Sequence, residues 1–474
     1  MAPWRDAVAV GLLALAARLA VVLWAGRHFP PVADGAYYHR LAVRLAQGQG
    51  YTWLWPDGAA TNAAHYPVGY PAALAAVYAV VGPDPIAAMV LNAVLGALGA
   101  VAVHRLATGL RSRRLALVAG LLAALHPALV GYTPALMTEG VTAALLGCAA
   151  WAAAAGRRWA ANSRGRAGRV SLAALGVGAL LGLCALVRPQ SLLLAPLFGA
   201  MAVPVHAPRR GGLLAAALLC TASALGVCAP WTARNCARMG SCALVSLNAG
   251  WNLLIGTDEQ AGGSWAPLRV PASCRAVYDE ARKDRCFERE AWAAIRRRPL
   301  AWLRLVPAKL SVTFDYSGAP GWYLHASNPS RFDERAKERL GVLETVFERL
   351  VLLLALGAAA PRRGARGGGR GWSARRARRL VCVVAVLVGA AFCLSRHGWV
   401  AYLALGAAIW LRRPGLLRAP AAYGAAWGVL LVTAATHAVF FGAGRYAMVL
   451  FAVLCPLAAM GLARARAAVL GTAR

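Results

Sequence analysis

Residues 86–114 read IAAMVLNAVLGALGAVAVHRLATGLRSRR. The run from Ile86 to Ala107 is almost wholly apolar and carries no acid, and it ends at Arg111, Arg113 and Arg114. About 20 apolar residues in helical form cross a bilayer. A short Arg cluster directly after such a run is the mark of a cytoplasmic loop. The same alternation of apolar block and basic loop recurs along the chain. Candidate spans are 7–25, 86–109, 115–133, 136–155, 171–187, 190–206, 212–230, 341–360, 380–395, 397–411, 420–441 and 445–463. The reading is an all-α polytopic membrane protein with about 12 transmembrane helices and two extracytoplasmic segments.

Composition agrees. Of 474 residues, 59% are hydrophobic and only 15% charged, far from the soluble norm. The net charge of +33 invites a nucleic-acid reading. Its distribution argues for topology and membrane lipids instead, because the arginines gather in loops: Arg111–Arg114, Arg157–Arg169, Arg209 and Arg210, Arg362–Arg379, Arg412, Arg413 and Arg418. No nucleic-acid partner is expected. Ala7–Ala25 reads as a retained first span rather than a cleaved leader.

Placing every Arg cluster on the cytoplasmic side of a plasma (inner) membrane leaves both termini cytoplasmic and the candidate active site on the outer face. Tyr66–Val81 (YPVGYPAALAAVYAVV) must then be re-entrant or surface-lying on the outer side, since a full crossing would turn the Arg111–Arg114 loop outward. Three parts follow: 1–230, an N-terminal transmembrane module with outer loop 26–85; 231–340, an outer segment; and 341–474, a C-terminal transmembrane module. An amphipathic helix is expected at Ala36–Gln47 with Tyr37, Leu41 and Leu45 on one side. Helical stretches are expected near 276–298 and 332–340, and Leu300–Phe314 reads as interfacial.

Four of the 11 cysteines, Cys236, Cys242, Cys274 and Cys286, fall in the second outer segment. An even number in an oxidising compartment suggests two disulfides, most simply 236–242 and 274–286, although three pairings are allowed. Their spacings are not those of zinc knuckles.

The acids are the pointers to chemistry. Of 18, 13 lie between Asp258 and Glu348, and only Asp34, Asp57, Asp84 and Glu139 lie between Ala7 and Thr257. Asp57 and Asp84, in PDG and GPDP, read as turn residues. The acids at 279–290 alternate with arginines and read as a solvated helix face. Asp34 and Glu139 sit at membrane edges, where a charged carboxylate is costly unless something pairs or uses it. Asp34 also suits a helix N-cap and Glu139 a helix start. With them on the outer face come His65, Arg188, Arg445, Tyr37, Tyr38, Tyr66 and Tyr446. A carboxylate near an acceptor hydroxyl is a general base, and arginines clamp phosphate. Trp251 and Trp265 are weaker candidates for sugar contact. No P-loop or Rossmann turn appears; GVGALLG at 176–182 lies in a span.

ADGAYYHRLA after the first span, the HYPVGYP turn, the Pro-ended LLAALHP and the acid in LMTE form a series. LVRPQ, PWTARN with NAGWNLLIGT, and GRYAMVLFAVLCPLAAMGL extend it. This series resembles GT-C fold, lipid-phosphate-sugar-dependent glycosyltransferases, the superfamily of protein O-mannosyltransferases and aminoarabinose transferases. The resemblance covers most of the chain and is looser beyond Ser264. It implies a polyprenyl-phosphate-linked sugar as donor, and a glycan, lipid or protein acceptor. It assigns Asp34 as the catalytic base or its essential partner, Glu139 as the second acid, and His65 and Arg445 to the donor phosphate, beside Arg188. Tyr66 replaces the first Pro of the usual turn, and Gly35 follows Asp34 where an acidic neighbour is common. No nucleotide or other cofactor is implied; a divalent cation is left open, with no ligand set named. A multi-span transporter or flippase of lipid-linked glycans is the alternative, though no internal repeat is visible.

Overall fold

A computed structural model describes residues 2–110, 112–161, 166–204, 210–361, 372–412, 417 and 419–470. The expected basic loops at Arg111, Arg209, 362–371, Arg413 and Arg418 lie outside the described residues. The chain is a helical, multi-pass membrane protein. Among the described residues seven helices are long and apolar enough to cross a bilayer: Trp4–His28, Pro85–Leu110, Glu139–Ala161, Ala167–Val187, Gly211–Met239, Ala421–Val439 and Gly444–Val469. Three shorter apolar helices, Gly69–Val81, Pro189–Met201 and Trp399–Leu411, accompany them.

Two of the other expected spans are built in pieces, and prolines explain where. The 115–133 block is a helix Arg113–Ala124 and a short helix Pro127–Gly131. His126 between them is extended (φ −61°, ψ 117°), as a residue before proline prefers. The orphan carbonyls at the break are met by Arg18 of the first helix, whose guanidinium donates to Ala124 O at 3.0 Å and Ala123 O at 3.5 Å. That interaction explains a fully buried arginine inside a span. The 190–206 block is likewise a 3₁₀ turn, Pro189–Leu194, leading into Ala195–Met201. The 341–360 block belongs to a longer helix, Glu334–Ala359, and Pro299–Phe314 is one continuous helix through Pro307.

The Phe451–Val469 helix is the hub. Its span is 83% buried, against 22–61% for the other six. It packs on Glu334–Ala359, Arg113–Ala124, Pro85–Ala107 and Glu139–Ala161. Alanine and glycine dominate these seams: Gly99 lies against Ala144, and Gly461 against the Leu354 backbone. Without a hydrophobic drive between helices in lipid, such close approach supplies the packing energy.

Above the bundle lie the two extramembrane segments. The first holds the Asp34–Ala46 helix, matching the amphipathic helix expected at Ala36–Gln47, and a small hairpin pairing Thr52–Leu54 with Ala60–Asn62. Its buried face is Tyr38, Leu41 and Ala42, one position round from the expected Tyr37 side, which leaves Tyr37 43% exposed. The second holds Ala249–Ile255, Glu280–Arg297 and Ala319–Ser327. Two disulfides, Cys236–Cys242 and Cys274–Cys286, pin it. Non-reducing peptide mapping is expected to recover these two cross-linked pairs; any peptide joining 236 or 242 to 274 or 286 would overturn the arrangement.

The helices Glu139–Ala161 and Arg166–Val187 run antiparallel neighbours. Glu139 and Arg188 therefore share one end of the bundle, while Arg157, Arg158 and Arg169 share the other.

Candidate active site

At the Glu139–Arg188 end, the helices converge on a cavity of about 2670 Å³. Asp34, Glu139, His65, Arg188, Arg445, Tyr37, Tyr38, Tyr66 and Tyr446 all line it. Residues scattered over more than 400 positions thus meet in one space.

Local structure sets each of them. Asp34 is the first residue of its helix, and Ala33 before it takes a left-handed φ of 49°. Alanine in that region is strained, so the chain is held there by its surroundings. Asp34 caps nothing. Its Oδ2 instead lies 2.9 Å from Arg445 Nη1, and its Oδ1 accepts the Tyr66 hydroxyl at 3.0 Å. Gly35 has no room for a side chain, because a Cβ there would meet the Tyr323 hydroxyl and the Leu136 carbonyl.

Glu139 opens a span and is fully buried. Its Oε1 pairs with Arg188 Nη2 and also lies 3.3 Å from Arg445 Nε. Arg188 follows the Ala167–Val187 span, and its Nε donates to Thr138 Oγ1 at 3.0 Å. Both guanidiniums lie over the Tyr446 ring, at 5.0 and 5.1 Å. His437 stacks on that ring at 4.1 Å. The four charges alternate as Asp34, Arg445, Glu139, Arg188. Every nitrogen of Arg445 is engaged, counting Nη2 on the Tyr446 hydroxyl at 3.3 Å. Arg188 Nη1 has no protein hydrogen-bond partner among the described residues.

The loop bearing Arg445 is held from below. Lys309 Nζ donates to Val439 O at 3.0 Å and Ala438 O at 3.4 Å, closing the end of the Ala421–Val439 helix. Gly442 N donates to Gly263 O at 2.8 Å, which ties the loop to the second outer segment.

Around the acids sits an aromatic wall. Tyr37 stacks on Tyr66 at 5.5 Å, Tyr38 meets Tyr66 edge-on at 5.1 Å, and Trp53 meets Tyr37 edge-on at 5.9 Å. His65 lies between Tyr66 (4.9 Å) and Trp251 (5.4 Å), outside the ion-pair chain.

Burial raises the Asp34 carboxyl, but the Arg445 charge with hydrogen bonds from Arg445 and Tyr66 outweighs it, leaving the group below its ordinary 3.8. Burial pushes His65 down to about 4, so the imidazole is neutral near pH 7. Burial, with the Asp34 charge, pushes the Tyr66 phenol far up; it stays a donor.

Two cavity residues escaped the sequence reading. Glu280 and Asp284, expected on a solvated face, turn inward one helical turn apart. Glu280 accepts from Trp53 Nε1 at 2.8 Å and Ala64 N at 2.7 Å, joining the two outer segments beside His65. Asp284 accepts from Trp251 N at 2.9 Å. Burial raises both carboxyls. A hint was available: Glu280 and Asp284 precede the apolar Phe287 and Ala291 at helical spacing.

No protein-family model matches the sequence, and no curated protein matches it. Three solved structures of one enzyme are similar in shape. The oligosaccharyltransferase of Archaeoglobus fulgidus in its apo form shares 14% identity at a TM-score of 0.48, over 98% of this chain and 52% of that one. The same protein tethered to an acceptor peptide gives 12%, 0.45, 98% and 49%. In complex with an inhibitory peptide and a dolichol-phosphate it gives 14%, 0.45, 99% and 52%. The chain spans about half the length of these structures. Scores below 0.5 at such identity decide nothing about the reaction, which has to be read from the side chains.

Among the described residues no group of three or more His, Cys, Asp and Glu side chains is placed to hold a metal ion. The site's positive charge is supplied by Arg188 and Arg445.

Proposed function

We propose that this chain is a GT-C-type membrane glycosyltransferase. It moves a sugar from a polyprenyl-phosphate donor to a hydroxyl of an extracytoplasmic acceptor, with inversion. One observation carries the reading: a hydrogen-bonded acid, Asp34, lies one guanidinium away from Glu139, which in turn pairs with Arg188, inside a large cavity at one end of a membrane bundle. Arg157, Arg158 and Arg169 at the opposite end of the bundle support an outer-face cavity with both termini inside.

In this reading Asp34 takes the proton of the acceptor hydroxyl as its oxygen attacks the anomeric carbon. The bond from that carbon to the phosphate oxygen breaks, and polyprenyl phosphate leaves. Negative charge grows on the phosphate, where Arg188 Nη1 is free to donate and Arg445 adds its field. His65, neutral, offers a hydrogen bond rather than a charge. Glu139 holds the two arginines side by side and so acts as a positioning residue. Tyr446 is the platform under both of them, and Tyr37, Tyr38 and Tyr66 form the wall against which a sugar ring rests. The donor's tail lies in the membrane beside the first spans.

The test uses the purified full chain with radiolabelled polyprenyl-phosphate mannose, glucose, arabinose and aminoarabinose, and an extracted acceptor pool. Label passing to acceptor with release of polyprenyl phosphate supports the proposal. Movement of the intact lipid-sugar across vesicles without cleavage would replace it with transport.

A further inference from the structure

The cavity is far larger than the reaction requires. Pockets that enclose a drug-sized ligand run to about 1000 Å³. A phosphate and one sugar are of that size, and the space here is about 2670 Å³. The extra room is bounded by the second outer segment, whose aromatic lining includes Trp251, Trp265 and Tyr278. Trp265 and Tyr278 are 57% and 89% exposed. Large rings left in the open give up the burial that usually recommends them.

These rings do not hang on loose loops. Trp251 has its amide on Asp284 and its ring 5.4 Å from His65. Trp265 follows Ser264, which bridges to Gly442, three residues before Arg445. Tyr278 lies two residues before Glu280, which holds Ala64 beside His65, and the Cys274–Cys286 disulfide brackets it. Each ring is thus tied by a short link to a catalytic element. Interface anchors face lipid; these face the cavity. Between them, the side-chain amide of Asn252 and the Nδ2 of Asn248 have no protein hydrogen-bond partner among the described residues, and both side chains line the same space.

Flat apolar faces with unpartnered amides suit sugar rings, whose C–H faces stack and whose hydroxyls need donors and acceptors. We propose that Trp251, Trp265 and Tyr278 form a collar that holds an acceptor glycan several sugars long, with Asn248 and Asn252 bonding its hydroxyls. The acceptor is then an oligosaccharide chain extended or decorated at its end. This rests on the glycosyltransferase reading above and deepens it.

The experiment measures binding to the detergent-solubilised full chain, without donor, of manno-, gluco-, galacto- and arabino-oligosaccharides one to six units long. In at least one series affinity should rise with length. Trp265→Ala and Tyr278→Ala should weaken the longest member about tenfold each, a loss of about 1.4 kcal/mol, and leave the monosaccharide unchanged. Trp292→Ala, on an exposed ring outside the cavity lining, should change nothing. No length dependence in any series, or unchanged hexasaccharide binding by the Trp265→Ala/Tyr278→Ala double variant, overturns the collar. Donor turnover is followed in parallel. Turnover retained without oligosaccharide binding sinks the collar alone; loss of both in the wild type sinks the transferase reading as well.

Discussion

Asp34→Asn is expected to lower kcat for sugar transfer by about 10²- to 10⁴-fold, the usual weight of a general base. The substitution keeps the shape of the side chain and can still accept from Tyr66, so the bundle should stay folded. Arg445 keeps Glu139 as its counter-charge. What disappears is the basic carboxylate that takes the acceptor proton. The pH profile sharpens the test. Burial works against ionisation of Asp34, but Arg445 and Tyr66 overcome it and hold the carboxyl below 3.8. A base with a lowered pKa is ionised at every higher pH, and activity falls only as pH drops through that lowered value. His65 is pushed to about 4 by burial and so contributes no inflection near its ordinary 6.5. The wild-type kcat/KM should therefore be flat on the acid side through about pH 6 to 7. An inflection in that range removed by His65→Gln would move the base from Asp34 to the imidazole. A Asp34→Asn protein with wild-type kcat would remove Asp34 from the chemistry altogether.

Much of this site was legible because membrane chains avoid acids. Asp34 and Glu139 stand out in a stretch with almost no others, and a buried carboxylate must have a partner. The partner's identity was not legible. Arg445 lies hundreds of residues from Asp34, and no spacing rule links them; only the return of the last span to the bundle's centre brings it there. Glu280 and Asp284 were misread for a different reason. Alternation of acid and arginine describes a helix surface but not which neighbour that surface meets, and here the hairpin and the Ala249–Ile255 helix cover it. The span count shows the same limit. Hydropathy finds apolar blocks, while His126–Pro127 and Pro189 decide whether a block is one helix or two. The Arg18 guanidinium, an apparent fault in the first span, makes sense only beside the carbonyls freed by the first of those breaks.

Glu139→Gln should have the largest effect on stability. Glu139 is fully buried, and Arg188 and Arg445, themselves only 12% and 24% exposed, both rest on its Oε1. Neutralising it leaves two guanidiniums over one tyrosine ring with Asp34 alone to oppose them. Removing one partner of a buried ion pair costs about 3–5 kcal/mol, because the remaining charge keeps its desolvation penalty. Much of the loss should be recoverable by removing the stranded charge. Arg188→Gln alone also destabilises, since it strands Glu139 against Arg445 only, but Glu139→Gln/Arg188→Gln should be more stable than the sum of the single losses predicts. Thermal unfolding in detergent of the four proteins closes this cycle, with an expected coupling of about 1–3 kcal/mol. Additive losses would mean that the two side chains do not act as a pair. Transfer gives the complementary readout. The double variant regains stability but not rate, because Arg188 Nη1 is the donor left open for the phosphate. A double variant that recovered both would assign Arg188 to the fold alone and leave the departing phosphate to Arg445.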